Sequence, residues 1–209
     1  MVGFAQNNPH HNRDVWEHTL TVLENIPAEP VLRWAALLHD AEKPACCTVD
    51  AEGVRHFHGH QQKSAETAEA MLRRLHCETR LIADVTELIK IHDIRFLATV
   101  ETATRWAGRW GEKRFLQFTE LRRADTLGQA HPGEAEPYYR ALRAAYDEAK
   151  RQDACFTVRQ LAVTGNDLTA MGLTGPAVGE TLRRLLRLVQ GGTLPNERAA
   201  LLAAARQQE

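Results

Sequence analysis

Trp34-Ala-Ala-Leu-Leu-His-Asp-Ala-Glu-Lys-Pro44 is the stretch whose reading decides the fold. Val31, Trp34, Ala35 and Leu38 recur at helical spacing, and Pro30 stands near the start, where its missing N–H costs nothing. The apolar pattern breaks after Leu38 and Pro44 follows, so the helix ends at the pair His39-Asp40. Adjacent side chains within a helix diverge by about 100°, and an imidazole next to a carboxylate meets it at one point only at such an end. Both groups lie at the floor of a packed helix, where a polar group without a partner costs roughly 2–7 kcal/mol. Taken alone, the pair reads as a core histidine bonded to a backbone carbonyl beside a helix-end aspartate.

Other metal-capable side chains on apolar helical faces change that reading. In Asp14 to Leu23, Val15, His18, Thr19 and Val22 form one stripe, with Asp14 as N-cap and Pro27 as stop. His92 falls in line with Ile82, Val85 and Ile89, and Asp125 with Phe118, Leu121 and Arg122. His60 opens a helical stretch running from Gln61 to Leu75, just after Gly59. A buried, unpaired aspartate is rare, so Asp125 needs a cation or donors. The order His, His-Asp, His, His, Asp is hard to explain as a set of independent core residues.

The whole chain reads as all-α. Helices are expected over 13–26, 30–40, 60–76, 78–92, 101–110, 112–130 and 134–151, followed by three shorter ones in a glycine-punctuated tail. The exception is Cys46 to Gly59, where Thr48-Val49, an Asp50 to Gly53 turn and Val54 to Phe57 suit a small β-hairpin insertion leading into His60. Residues 1–152 form the expected main domain and 153–209 a helical tail, with the boundary near Gln152 to Phe156.

These residues resemble the HD superfamily of metal-dependent phosphohydrolases. In that resemblance His18, His39, Asp40 and Asp125 match the positions that hold a first metal, and His60 and His92 match those of a second. The stretches Asn8 to His18, Leu37 to Pro44, Val54 to His60 and Arg122 to Asp125 are similar to the HD portion of bacterial CCA-adding tRNA nucleotidyltransferases. Leu161 to Gly179 and Leu194 to Arg198 are similar to the tail of those enzymes, so the likeness covers nearly the whole chain. It implies an HD-domain helical bundle and a nucleotide-like substrate. Two departures stand out: Glu42 occupies the place of the usual glycine in His-Asp-x-Gly-Lys, and no Gly-Ser pair followed by Asp-x-Asp occurs. The expected reaction is therefore hydrolysis and not nucleotide addition, by a fragment of such an enzyme or by a free-standing relative.

The ligand types specify the chemistry further. Imidazoles with two carboxylates suit one or two divalent transition-metal ions, Fe, Mn, Co, Ni or Zn, better than Mg or Ca. If two ions bind, Asp40 is the natural bridge, with His18, His39 and Asp125 on one side and His60 and His92 on the other. Such a centre activates water and clamps phosphate oxygens, so phosphomonoesterase or phosphodiesterase activity is expected. Lys43 is a candidate catalytic cation for the phosphate, against the alternative of a solvated lysine. His58, sharing one face of the hairpin with His56, and Arg95 are candidate substrate contacts. His10 and His11, ahead of the first helix, are candidates for the pocket mouth or for solvent, and His76 and His131 read as structural.

The competing class is a non-catalytic module that binds tRNA or another RNA. Arg73-Arg74, Lys113-Arg114, Arg122-Arg123 and Arg183-Arg184 supply local positive charge, but the net charge over 209 residues is −1. That balance disfavours sequence-independent binding to long nucleic acids. The four cysteines, Cys46, Cys47, Cys77 and Cys155, lack paired metal spacing and read as reduced thiols. The first residues resemble no signal peptide and no window is long enough to span a membrane, so the cytoplasm is the expected location.

Overall fold

The computed structural model describes residues 1–7 and 13–207; His10 and His11 lie outside them. Among the described residues there are ten α-helices and one two-stranded sheet. The chain is all-α apart from that sheet. It divides into two units, one comprising residues 1–96 and 113–141 and the other residues 97–112 and 142–209.

The first unit begins with α1 (Val15–Asn25). Its Asp14 cap accepts a 2.6 Å hydrogen bond from the Glu17 amide, and the Glu17 carboxylate accepts one in return from the Asp14 amide. Helix α2 (Pro30–Leu38) starts on its proline and ends with His39 as the capping residue. A run of turns through Asp40 to Lys43 leads into a 3-10 turn at Pro44–Cys46. The expected hairpin then forms. Strands β1 (Thr48–Val49) and β2 (Arg55–His56) pair antiparallel, Thr48 opposite His56 and Val49 opposite Arg55. The Asp50 carboxylate accepts from the Glu52 and Val54 amides, and Gly53 takes the left-handed conformation that closes the turn.

Gly59, also left-handed at φ 78°, redirects the chain into α3 (His60–Arg74). Helix α4 (Thr79–Ile91) packs against both α3 and α2, and α2 packs against α1. Phe115, Phe118, Leu121 and Ala124 of α6 (Glu112–Leu127) are fully buried, and the Phe118 ring stacks on Phe96 with centroids 5.5 Å apart. Helix α7 (Ala135–Arg151) follows a 3-10 turn at Pro132–Glu134.

The second unit contains α5 (Val100–Trp110), which lies earlier in the sequence, together with α8 (Gly165–Ala170), α9 (Pro176–Gln190) and α10 (Arg198–Arg206). Its core gathers Leu161, Val163, Leu168, Leu185, Leu201 and Ala205. Three tail helices form as expected, although α9 is not short: at 15 residues it equals α3. No helix among the described residues is long and apolar enough to cross a membrane.

Each of these helices is marginal in isolation and stands on its buried face. Phe118→Ala is expected to lower stability by about 3–5 kcal/mol, read as a shift of the urea unfolding midpoint at unchanged slope.

Candidate metal centre

Five separate pieces of backbone bring four imidazoles and two carboxylates to one place in the first unit. His18 projects from the middle of α1, His39 caps α2, Asp40 lies in the turn after it, and His60 is the first residue of α3. His92 follows the last residue of α4, and Asp125 sits near the end of α6. All six are buried, His18 and His39 completely. The rings stack edge to face in a chain, with centroids 5.4 Å apart for His18 and His39, 5.0 Å for His39 and His92, and 5.3 Å for His60 and His92.

What orients the rings is the same device four times. Each Nδ1 lies against a backbone carbonyl: His18 on Gly128 at 3.0 Å, His39 on Ala36 at 2.9 Å, His60 on Phe57 at 2.7 Å and His92 on Ile89 at 2.6 Å. A carbonyl can only accept, so Nδ1 carries the proton in each ring. Nε2 is then the remaining donor atom toward the centre of the cluster. Nε2 of His18 lies 3.3 Å from that of His39, and Nε2 of His60 lies 3.4 Å from that of His92.

The Asp40 carboxylate lies between these two pairs. Its Oδ2 is 3.1 Å from His39 and 3.4 Å from His18, while Oδ1 is 3.2 Å from His60 and 3.7 Å from His92. Two triads capable of holding an ion therefore share one residue, His18-His39-Asp40 and Asp40-His60-His92. Asp125 joins the first of them, with Oδ1 3.1 Å from His18 and 3.7 Å from His39. Its other oxygen is held by Arg122 at 2.8 Å and by the Gln129 amide at 3.0 Å.

A metal fits this donor set. Both Asp40 oxygens are buried without a well-aligned hydrogen bond among the described residues, a costly condition for a carboxylate. Lys43 Nζ reaches 2.8 Å from Oδ2, a distance that makes an ion pair but not an aligned hydrogen bond. Imidazole rings locked by Nδ1–H bonds, with Nε2 directed at carboxylate oxygens, are the usual preparation for a divalent transition ion.

The electrostatics agree. Burial alone would lower the His39 pKa, but the charges of Asp40 and Asp125 and the bonds to them outweigh it and raise the value to about 10. Burial and the neighbouring His39 charge push His92 down to about 4. Burial would raise the carboxyl pKa values, yet His39 and Lys43 hold Asp40 well below the usual carboxylate range. His18, His39 and Arg122 do the same for Asp125. Without an ion, a proton on His39 stands in for part of the positive charge that this cluster requires.

A cavity of about 500 Å³ opens over the cluster, with Asp40, Lys43, His60, His92 and Asp125 in its lining. His58 and Arg95, the two candidate substrate contacts, both line it, and His56 stacks on His58 with ring planes 4° apart. Lys43 is buried at 6% exposure, which removes the solvated alternative. Glu42 is not among the residues with left-handed backbone, so the turn accepts a side chain where the resemblance leads one to expect glycine. The Glu42 side chain instead accepts a 2.8 Å bond from Thr67 of α3.

Three contributors have no signature in the sequence pattern. Gln6, buried in the irregular lead-in, accepts a 2.9 Å hydrogen bond from Lys43 Nζ. Gln129 steadies Asp125. Gly128 supplies the carbonyl for His18, and a Cβ on it would lie 2.6 Å from His18 Nδ1. Only its place just past the end of α6 hints at a role.

Comparisons with known proteins follow the same lines. The family described as tRNA nucleotidyltransferase domain 2, putative, matches residues 56–205. The chain is 32% identical over 195 residues to an A-adding tRNA nucleotidyltransferase of Deinococcus radiodurans, covering 88% of this chain and 44% of that protein. It is 31% identical over 205 residues to the multifunctional CCA protein of Thioalkalivibrio sulfidiphilus, covering 91% and 46% respectively. The chain thus spans less than half the length of these curated relatives. No solved structure matches it significantly.

Two outcomes are expected of the centre itself. Gly128→Ala displaces the His18 ring and weakens metal affinity roughly 10–100-fold, measured by competition with a chromogenic chelator, while circular dichroism stays native. Uptake of a divalent ion at pH 7 releases about one proton, from His39, so affinity rises with pH. Titration calorimetry in buffers of different ionisation enthalpy checks this, and equal heats in all buffers would contradict it.

Proposed function

Since the chain belongs to the tRNA nucleotidyltransferase domain 2 family, we propose that its histidine–aspartate cluster is the centre of an HD-type metal-dependent phosphohydrolase acting on nucleotide-like phosphate esters. The observation that carries this reading is the buried Asp40 carboxylate, unpartnered by any aligned hydrogen bond among the described residues and flanked by two pairs of imidazole Nε2 atoms. A divalent transition-metal ion bound there supplies Lewis acidity toward water and toward phosphate oxygens.

The chain's own residues then take distinct parts. His18, His39, Asp40 and Asp125 would hold one ion, and His60 and His92, together with Asp40, would hold a second. Lys43 places a positive charge at the cluster's edge, held by Gln6 from behind, where a phosphate oxygen would meet it. Arg95 and His58 stand at the cavity wall, suited to the remaining phosphate oxygens and to hydroxyl groups of the substrate. Backbone carbonyls orient all four imidazoles, three of them at helix ends or turns and His18 within α1, so little reorganisation accompanies binding. The Deinococcus relative is by name a tRNA enzyme, and tRNA in the cytoplasm is the macromolecular partner we assign to this domain. The division of the chain into a hydrolytic domain over 1–152 and a helical tail over 153–209 belongs to the same proposal.

The test starts with metal analysis of protein purified without chelator, followed by phosphatase and phosphodiesterase assays with added Mn or Fe. One to two ions per chain and metal-dependent release of phosphate are expected. Asp40→Ala loses both. His60→Ala or His92→Ala lowers metal content, and unchanged content and rate in these two would leave a single site. Lys43→Met keeps the metal and lowers kcat about 10²–10³-fold. Bound metal with no hydrolysis of any nucleotide ester would sink the enzyme reading in favour of a binding module.

A further inference from the structure

The cavity above the cluster does not end at its wall. A recess of about 200 Å³ shares Arg95 and Gln129 with it, and is otherwise lined by Phe96, Arg122, Thr126, Glu134 and Tyr138. The two spaces are neighbours that share a pair of wall residues, one of which, Gln129, lies 3.0 Å from Asp125. The recess begins a single side chain away from the candidate metal ligands.

Its chemistry differs from that of the cavity. The cavity lining is mostly imidazoles, carboxylates and cations, with Phe57 as its one aromatic residue, whereas the smaller recess has two aromatic residues, Phe96 and Tyr138, among the seven that line it. Both rings are fixed. Phe96 stacks on the fully buried Phe118 of α6, and the Tyr138 hydroxyl donates a 2.9 Å hydrogen bond to the Phe96 carbonyl. Tyr138 on α7 is thereby tied to the segment after α4 that carries Phe96. Beside the rings stand an amide, a hydroxyl and a carboxylate, from Gln129, Thr126 and Glu134. Two aromatic residues with a few donors and acceptors beside them suit a planar nitrogen heterocycle. A simple phosphate or a bare sugar phosphate would have no use for them.

Arg122 helps explain why the recess stays separate from the metal cluster. Its guanidinium is turned to Asp125, 2.8 Å away, and lies 3.9 Å from Asp93. The charge is consumed by carboxylates, so this end of the recess does not compete for the phosphate. Arg95, exposed and shared by both spaces, stands where the sugar phosphate would pass from one to the other.

Resting on the phosphohydrolase reading of the cluster, we infer that the Phe96–Tyr138 recess is the nucleobase subsite, which selects esters carrying a base next to the reacting phosphate. Specificity then comes from stacking, supplied by residues that touch no metal ligand directly except through Gln129 and Arg122.

The experiment is isothermal titration of the metal-loaded protein with two ligands. One is the non-hydrolysable phosphonate analogue of AMP, and the other is the same phosphonate of ribose without a base. The base-bearing analogue is expected to bind about tenfold tighter or more, the ordinary contribution of one stacked base. Phe96→Leu and Tyr138→Leu should each bring its affinity down toward that of the ribose phosphonate, which itself stays unchanged. Phe96→Tyr should restore the preference, which separates lost stacking from lost folding. Equal affinity for the two ligands, or a preference that survives both leucine variants, overturns the subsite while leaving the phosphate centre standing. Failure of both ligands to bind overturns the centre and the subsite together.

Discussion

The Nδ1–H to carbonyl hydrogen bond, made by four different histidines, is the interaction on which the rest of the first unit depends. It decides which nitrogen of each ring keeps its proton, and so which atom faces Asp40. Three of the four bonds run to the carbonyl three residues earlier in the chain: His39 to Ala36, His60 to Phe57 and His92 to Ile89. Ala36 and Ile89 lie in the last turns of α2 and α4, where carbonyls lack the usual partner four residues on, although Ile89 also accepts a long 3.4 Å bond from the His92 amide. The ends of helices thus supply acceptors that the fold would otherwise have to satisfy by other means. Placing an imidazole just past a helix end meets a backbone need and aims a ligand with the same bond.

His18 departs from that scheme, and the departure links distant parts of the sequence. It sits within α1, where every carbonyl nearby is used by the helix, so its Nδ1 turns to Gly128, 110 residues away. Closure of the cluster consequently requires that α1 and the end of α6 meet with almost no tolerance, because a single added methyl at residue 128 enters the space of the ring. Asp125, three residues before, approaches His18 from the same helix. The contact that orients one ligand also brings in another.

Periodicity made the helices and the inward residues readable, since His18, His92 and Asp125 fall on stripes with Val22, Ile89 and Phe118 that are buried. The hairpin was readable from its turn chemistry, Asp50 and Gly53. The burial of Lys43 was not. A lysine beside a proline looks solvated until Gln6, in a segment without periodic pattern, is seen to accept from its ammonium group. Gly128 is equally silent, because its carbonyl meets a ring 110 residues away, and Gln129, although its amide meets Asp125 only four residues earlier, lies past the end of α6 where no periodic pattern marks it. The length of α9 was underestimated because Gly179 near its start reads as a break, although a helix tolerates one glycine for a cost of about 1 kcal/mol. Division into units that reunite residues 97–112 with residues beyond 141 is a tertiary property with no local signal.

The charge arrangement explains why such a costly cluster persists inside a small core. Two buried carboxylates face two buried cations, Lys43 near Asp40 and Arg122 on Asp125, and the proton on His39 adds to them before any ion binds. Had the core been selected for stability alone, apolar residues of similar volume would serve as well or better. The imidazoles change the balance. As ligands, once His39 has given up its proton, they would add donor atoms without adding negative charge, and an ion bound among them would leave the cluster with a net positive charge. A positive centre beneath a cavity that also carries Arg95 and the His56–His58 pair attracts an anion. Burial then strengthens that attraction, because the surrounding helices exclude the water that would screen it.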